Sequence, residues 1–131
     1  MFKISLKMKN TIRKPEGNIY KIKAKLDDKG NLSIEKKCWP AADAPEGQPI
    51  EEKISYQVSP QDARAFRERL DIDAVVVEEG LGHGSQRWTV TLEEGGVKTK
   101  ASGFVEDTLA FATIVEDFES TFRLPETFVL D

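Results

Sequence analysis

Residues 2–9 read Phe-Lys-Ile-Ser-Leu-Lys-Met-Lys, apolar and polar side chains alternating without a break. A period of two belongs to a half-buried strand, because successive side chains leave opposite faces of an extended backbone. The pattern resumes with Tyr20, Ile22, Ala24 and Leu26 on one parity and Lys21, Lys23 and Lys25 on the other. Between the two runs, Lys14-Pro15-Glu16-Gly17-Asn18 reads as a turn. Asp27-Asp28-Lys29-Gly30-Asn31 reads as a hairpin loop in which Gly30 takes the positive φ such loops need. Leu32 and Ile34, with Cys38 or Trp39, continue a third strand, which makes a three-stranded antiparallel meander.

Further along, residues 40–52 (PAADAPEGQPIEE) combine three prolines, a glycine and four acids and are expected to form a loop. Ile54, Tyr56 and Val58 give a short strand. Ser59-Pro60-Gln61-Asp62 has the chemistry of a helix start, with Ser as N-cap, Pro at the first helical position and an acid in the first turn. Ala63, Phe66 and Leu70 form its buried stripe. A strand is expected over Ala74–Val77, followed by a glycine-rich loop and the alternating run Trp88, Val90, Leu92. The chain turns at Glu94-Gly95-Gly96 and returns through Val97, Thr99 and Ala101. A second helix is expected from about Glu106 to Phe122, with Phe111, Ile114, Val115, Phe118 and Phe122 at helical spacing. The tail from Pro125 to Leu130 is placed as an edge strand or as a segment across the sheet. The order predicts an α+β fold in which an antiparallel sheet, meander plus hairpin, packs with two α-helices. Trp88, Val90 and Phe118 are expected to share one core.

The chain has 131 residues, enough for one domain, with 39% apolar and 32% charged residues as in solvated globular proteins. One cysteine, Cys38, permits no intrachain disulfide. The charged N-terminal run is not a signal peptide, and no apolar stretch is long enough to span a membrane, so a cytoplasmic location is expected. Charge is uneven: residues 1–37 hold 11 Lys+Arg against 4 Asp+Glu, while residues 38–131 hold 8 against 19.

The one histidine lies in Glu79-Gly-Leu-Gly-His-Gly-Ser-Gln-Arg-Trp88. A catalytic histidine needs a group that orients it and a nucleophile within reach. Cys38 and Ser85 fit no nucleophile motif, and the glycines precede a strand where a phosphate cradle would open a helix. His83 with Glu78, Glu79, Asp71 or Asp73 matches no metal-ligand spacing. The reading of choice is an exposed loop tip, and no cofactor, metal or catalytic residue is expected; a hydrolase or small-ligand protein using this loop ranks last. The paired acids, such as Glu51-Glu52 and Glu116-Asp117, diverge on strand or helix and form no dyad.

The stronger candidate is the lysine parity. Lys3, Lys7 and Lys9 on the first strand and Lys21, Lys23 and Lys25 on the second share one face, a stripe with the chemistry to bind phosphates or an acidic protein. Sheets that read single-stranded nucleic acid also present aromatics there. Phe2 and Tyr20 have the opposite parity and are expected to point into the core, which ranks nucleic acid behind an acidic protein. A solvated face whose lysines discourage aggregation ranks ahead of both.

From Ser59 to Glu119 the order is helix, loop, a strand at W-T-V-T-L, a hairpin at E-E-G-G-V, S-G and an amphipathic helix. This outline resembles small uncharacterised bacterial α+β domains and is similar to that of emfourin-like inhibitors of metalloproteases, which act by binding an enzyme. The resemblance implies a protein partner and assigns no site residue. A non-catalytic protein-binding domain is therefore expected, of inhibitor or immunity type, with nucleic-acid binding through the lysine face as the alternative.

Overall fold

The structure, a computed structural model, describes residues 1–10, 12, 14–41, 50–73, 86–104 and 109–125. It is α+β. Strands β1 (Phe2–Asn10), β2 (Asn18–Asp27), β3 (Asn31–Trp39) and β4 (Ile50–Gln57) are followed by helix α1 (Pro60–Arg69). Strands β5 (Gln86–Glu94) and β6 (Val97–Phe104) and helix α2 (Leu109–Thr121) complete the described elements. The sheet has six strands in the order β4-β3-β2-β1-β5-β6, and every neighbouring pair is antiparallel. The expected meander gains β4 as a fourth strand, and the β5–β6 hairpin docks on the other side of β1. Ile50, Glu51 and Glu52 belong to β4, so the loop expected over residues 40–52 ends earlier than its composition suggested. The acids are tolerated because β4 is an edge strand.

Even-numbered residues of β1, and those of β2 from Ile22 onward, form the covered face. Phe2, Ile4, Leu6, Met8, Ile22, Ala24 and Leu26 join Trp88 and Val90 from β5 with Ala63, Phe66, Phe111 and Phe118 from the helices in one buried cluster. Trp88, Val90 and Phe118 thus share a core as expected. Phe118 and Phe122 pack edge-on to Phe66, with ring centroids 5.4 and 5.9 Å away. Trp88 stacks on Phe111 at 5.2 Å, leaving its indole N–H without a partner among the described residues. Burying aromatic surface of this size is the largest single contribution to such a core.

Helix α1 starts where its sequence says it should: the Ser59 hydroxyl accepts from the backbone N–H of Gln61 and Asp62, and Pro60 opens the helix. Two arginine contacts fix its far end. Arg67 donates to both carboxylate oxygens of Glu94 at 2.6 and 3.0 Å, and Arg69 reaches Asp117 and Thr121 of α2. The hairpin between β2 and β3 is closed by Asp27, whose carboxylate accepts from the backbone N–H of Lys29 and Asn31 and from the Asn31 amide. Gly30 has φ 85°, and a Cβ there would meet the Val58 carbonyl. On the edge strand β4, Ile54, of covered-face parity, is 47% exposed.

The expected strand at 74–77, the His83 loop with Glu78, Glu79 and Ser85, the Glu106–Asp107 helix start and the tail from 126 onward lie outside the described residues.

Candidate binding face

The odd parity of β1, β2 and β3 emerges on the side away from the helices, and register decides what this open face offers. Lys7 of β1 lies opposite Lys23 of β2, and Lys9 lies opposite Lys21. On the other side of β1, Lys9 faces Arg87, and beyond β2, Lys21 faces Lys37. Lys37, Lys21, Lys9 and Arg87 therefore stand abreast on four adjacent strands, a row of about 14 Å at the usual strand spacing. Five of the six candidate lysines, Lys7, Lys9, Lys21, Lys23 and Lys25, fall inside or beside this cluster. Lys3 does not. Its cross-strand neighbours are Asp27 and Glu93, so its charge is locally balanced.

Like charges set directly opposite one another repel, and the side chains register it. Burial of the stem, followed by the charges of Lys21, Lys23, Lys100 and Lys9, holds the Lys7 ammonium below the usual lysine value. Lys23 is lowered in the same way by burial, then by Lys25 and Lys21, with Glu35 opposing. Toward the sheet edge the pattern reverses. Lys37 and Glu51 approach to 3.7 Å, Glu35 lies opposite Lys53, and Glu93 lies opposite Lys98.

Lys25 has a different setting, with Ser5 and Ser33 as its cross-strand neighbours. These small side chains, with Ser55 and Thr91, floor a trough of about 720 Å³ on the open face, walled by Asp27 and Lys98 among others. Its lining mixes hydroxyl, ammonium and carboxylate groups with apolar surface from Ile4, Leu26, Leu32 and Tyr56.

Tyr20 corrects the parity expectation. Register between β2 and β3 shifts between Ile19 and Lys21, so Tyr20 is the extra residue of a bulge. Ile19 packs against the core in its place, and Tyr20 stacks on Trp39 with centroids 4.4 Å apart and planes at 22°. Trp39 has the parity of Lys37 and Glu35, which puts the stacked pair on the open face. Both rings are partly exposed. Phe2, in contrast, is buried as expected. Sequence reasoning thus missed Tyr20 and Trp39, together with Lys37, Arg87 and Lys100. The signal was present: Ile19 and Tyr20 are adjacent apolar residues in an otherwise alternating strand, as a bulge requires.

Among the described residues, no three His, Cys, Asp or Glu side chains are placed to hold a metal ion. Cys38 is a partly buried thiol on β3, and Asp71 and Asp73 are exposed. No described helix is long and apolar enough to cross a membrane. Set against protein-family models the chain matches none, and no curated protein matches its sequence.

Proposed function

We propose that this chain is a non-catalytic binding domain whose open sheet face receives an acidic protein, in the manner of an inhibitor or immunity protein. The observation that supports this most is the unbalanced centre of that face. Lys9 and Lys21 stand opposite each other beside the Lys7–Lys23 pair, while Lys23 and Lys37 meet Glu35 and Glu51 toward the sheet edge. An arrangement that costs stability in the free protein gains it back when an anion arrives. Such a field also steers diffusional encounter and selects against cationic partners. A second reading, single-stranded nucleic acid, is favoured by the Tyr20–Trp39 stack, since aromatic faces on a cationic sheet bind bases.

Replacement of Lys21, Lys23 and Lys25 by glutamine tests the proposal, with poly-L-glutamate as the acidic probe. The wild-type protein is expected to bind the probe with an affinity that falls steeply as salt rises, because the Debye length is about 8 Å at physiological ionic strength. The triple variant should associate more slowly and show a flatter salt dependence, with its thermal unfolding little changed. Equal association rates for the two proteins at low salt would overturn the assignment of this face.

A further inference from the structure

Lysines on flexible stems give rate and charge selection, but they make poor anchors, because each head group remains strongly hydrated. Affinity in protein interfaces concentrates in a few rigid aromatic or arginine side chains surrounded by weaker contacts. Among the described residues, the open face carries an aromatic element of this kind in the Tyr20–Trp39 stack, beside the Lys21–Lys37 end of the cation row.

Three features hold the Tyr20–Trp39 stack in place before any partner arrives. The bulge at Tyr20 sends its ring onto Trp39, so each aromatic limits the rotamers of the other. Asn18, the cross-strand neighbour of Trp39, is 5% exposed, and it ties down the preceding loop. Its carbonyl oxygen accepts from the Lys14 backbone N–H, and its amide donates to the Ile12 carbonyl, both at 3.0 Å. Gly17, at φ 87°, lets that loop press against the backbone of Trp39, Pro40 and Ala41; a Cβ would come within 2.8 Å of the Trp39 carbonyl oxygen. A partly exposed aromatic pair on a fixed base loses little entropy on binding, which is the condition for a hot spot.

We propose that the Tyr20–Trp39 stack is the anchor of the interface, taking an apolar side chain of an acidic protein segment whose carboxylates lie along Lys37, Lys21, Lys9 and Lys7. This rests on the reading of the open face as an acidic-protein site and adds the chemistry of the segment: acidic residues flanking one exposed aromatic or aliphatic side chain. Charge complementarity with the cation row selects the acids, and the stack selects the apolar residue. A nucleic-acid strand fits less well. It requires base platforms repeated along a cationic path, and here one pair sits at one end, on a chain whose net charge is −4.

Two synthetic glutamate-rich peptides, one with a central tryptophan and one with glycine in its place, test the anchor, with a short oligothymidylate as the third probe. An aromatic contact of this kind should make the tryptophan peptide bind about twofold to tenfold tighter than the glycine peptide. Trp39 and Trp88 give two indole N–H resonances, assigned with the Trp39→Phe variant. The tryptophan peptide should shift the Trp39 signal and leave that of Trp88, which is fully buried, in place. Tyr20→Ser should abolish the gain while binding of the glycine peptide persists. Equal affinities for the two peptides, or an unmoved Trp39 signal, would overturn the anchor and leave the lysine face standing. A glycine peptide that fails to bind at low salt would instead strike at the lysine face. Oligothymidylate binding that depends on Tyr20, without the peptide gain, would turn the stack into a base platform and overturn the protein anchor.

Discussion

Along the outer strand pairs of the open face, β3–β4 sets Lys37 against Glu51 and Glu35 against Lys53, and β5–β6 sets Glu93 against Lys98. At the centre, β1–β2 sets Lys7 against Lys23 and Lys9 against Lys21. Both arrangements use the same backbone geometry and the same kind of long side chain. Opposite charges across a strand pair contribute roughly 0.2–1 kcal/mol, and like charges take away a similar amount. The edges follow the rule that stabilises a free sheet, and the centre violates it on adjacent pairs. Local violations of this kind are where a fold gives up stability for function. Under the proposed function, the centre suits a state in which an anion is present, and the edges suit the free protein.

The comparison fails if the open face is needed to hold the fold together, and the core variant Phe118→Ala tests that most severely. Phe118 is 1% exposed and touches the rings of Phe66 and Phe122. Its truncation should cost about 3–5 kcal/mol in chemical denaturation. The variant that remains folded should bind poly-L-glutamate as the wild type does, because the open face lies on the other side of the sheet. Loss of binding in step with loss of stability would show that the two faces are one energetic unit.

Most of this division was legible in the residues. The alternation of β1 and β2 placed the lysines on one face and the apolar residues on the other, and Ser59-Pro60 marked the start of α1, because these signals are local. Strand order is not local. Nothing in the run from Trp88 to Leu92 says that it docks on β1, so the pairing of Lys9 with Arg87 could not be read. Nor could the balance around Lys3, which depends on Glu93 arriving from the far hairpin. The bulge hid the aromatic pair for a related reason: one extra residue in β2 reverses the parity on which the placement of Tyr20 relied.

A sharper probe of the centre is Lys7→Gln. The folded-state value of Lys7 lies below the ordinary 10.5, by burial first and then by Lys21, Lys23, Lys100 and Lys9. A lowered lysine means that the unfolded chain binds more protons in the window between the two values, so stability rises with pH there. The cost of Lys7 is fully present below its folded value and vanishes above the unfolded one. Glutamine at this position should therefore raise the unfolding temperature slightly at pH 7. Its advantage should shrink as the pH rises toward 10.5. A variant less stable than the wild type at pH 7 would mean that packing of the lysine stem outweighs repulsion.

The smallest effect is expected at the edge, and it distinguishes shielding from mere decoration. Glu51 stands at the outer end of the row Lys37, Lys21, Lys9 and Arg87, 3.7 Å from the Lys37 ammonium, and its side chain is 59% exposed. An exposed pair of this length contributes about 0–1 kcal/mol, toward the low end when screened by salt. Glu51→Gln should therefore change thermal stability by no more than a surface substitution does. Its effect on binding should be of the opposite sign to that of any lysine variant. Without the carboxylate, Lys37 joins the unbalanced cations, and a negative charge that repels an acidic segment is gone. Affinity for poly-L-glutamate should rise modestly at low salt, and the gain should disappear at moderate salt as the interaction is screened. A fall in affinity would show that Glu51 holds Lys37 in the position from which it binds, so that edge and centre act together.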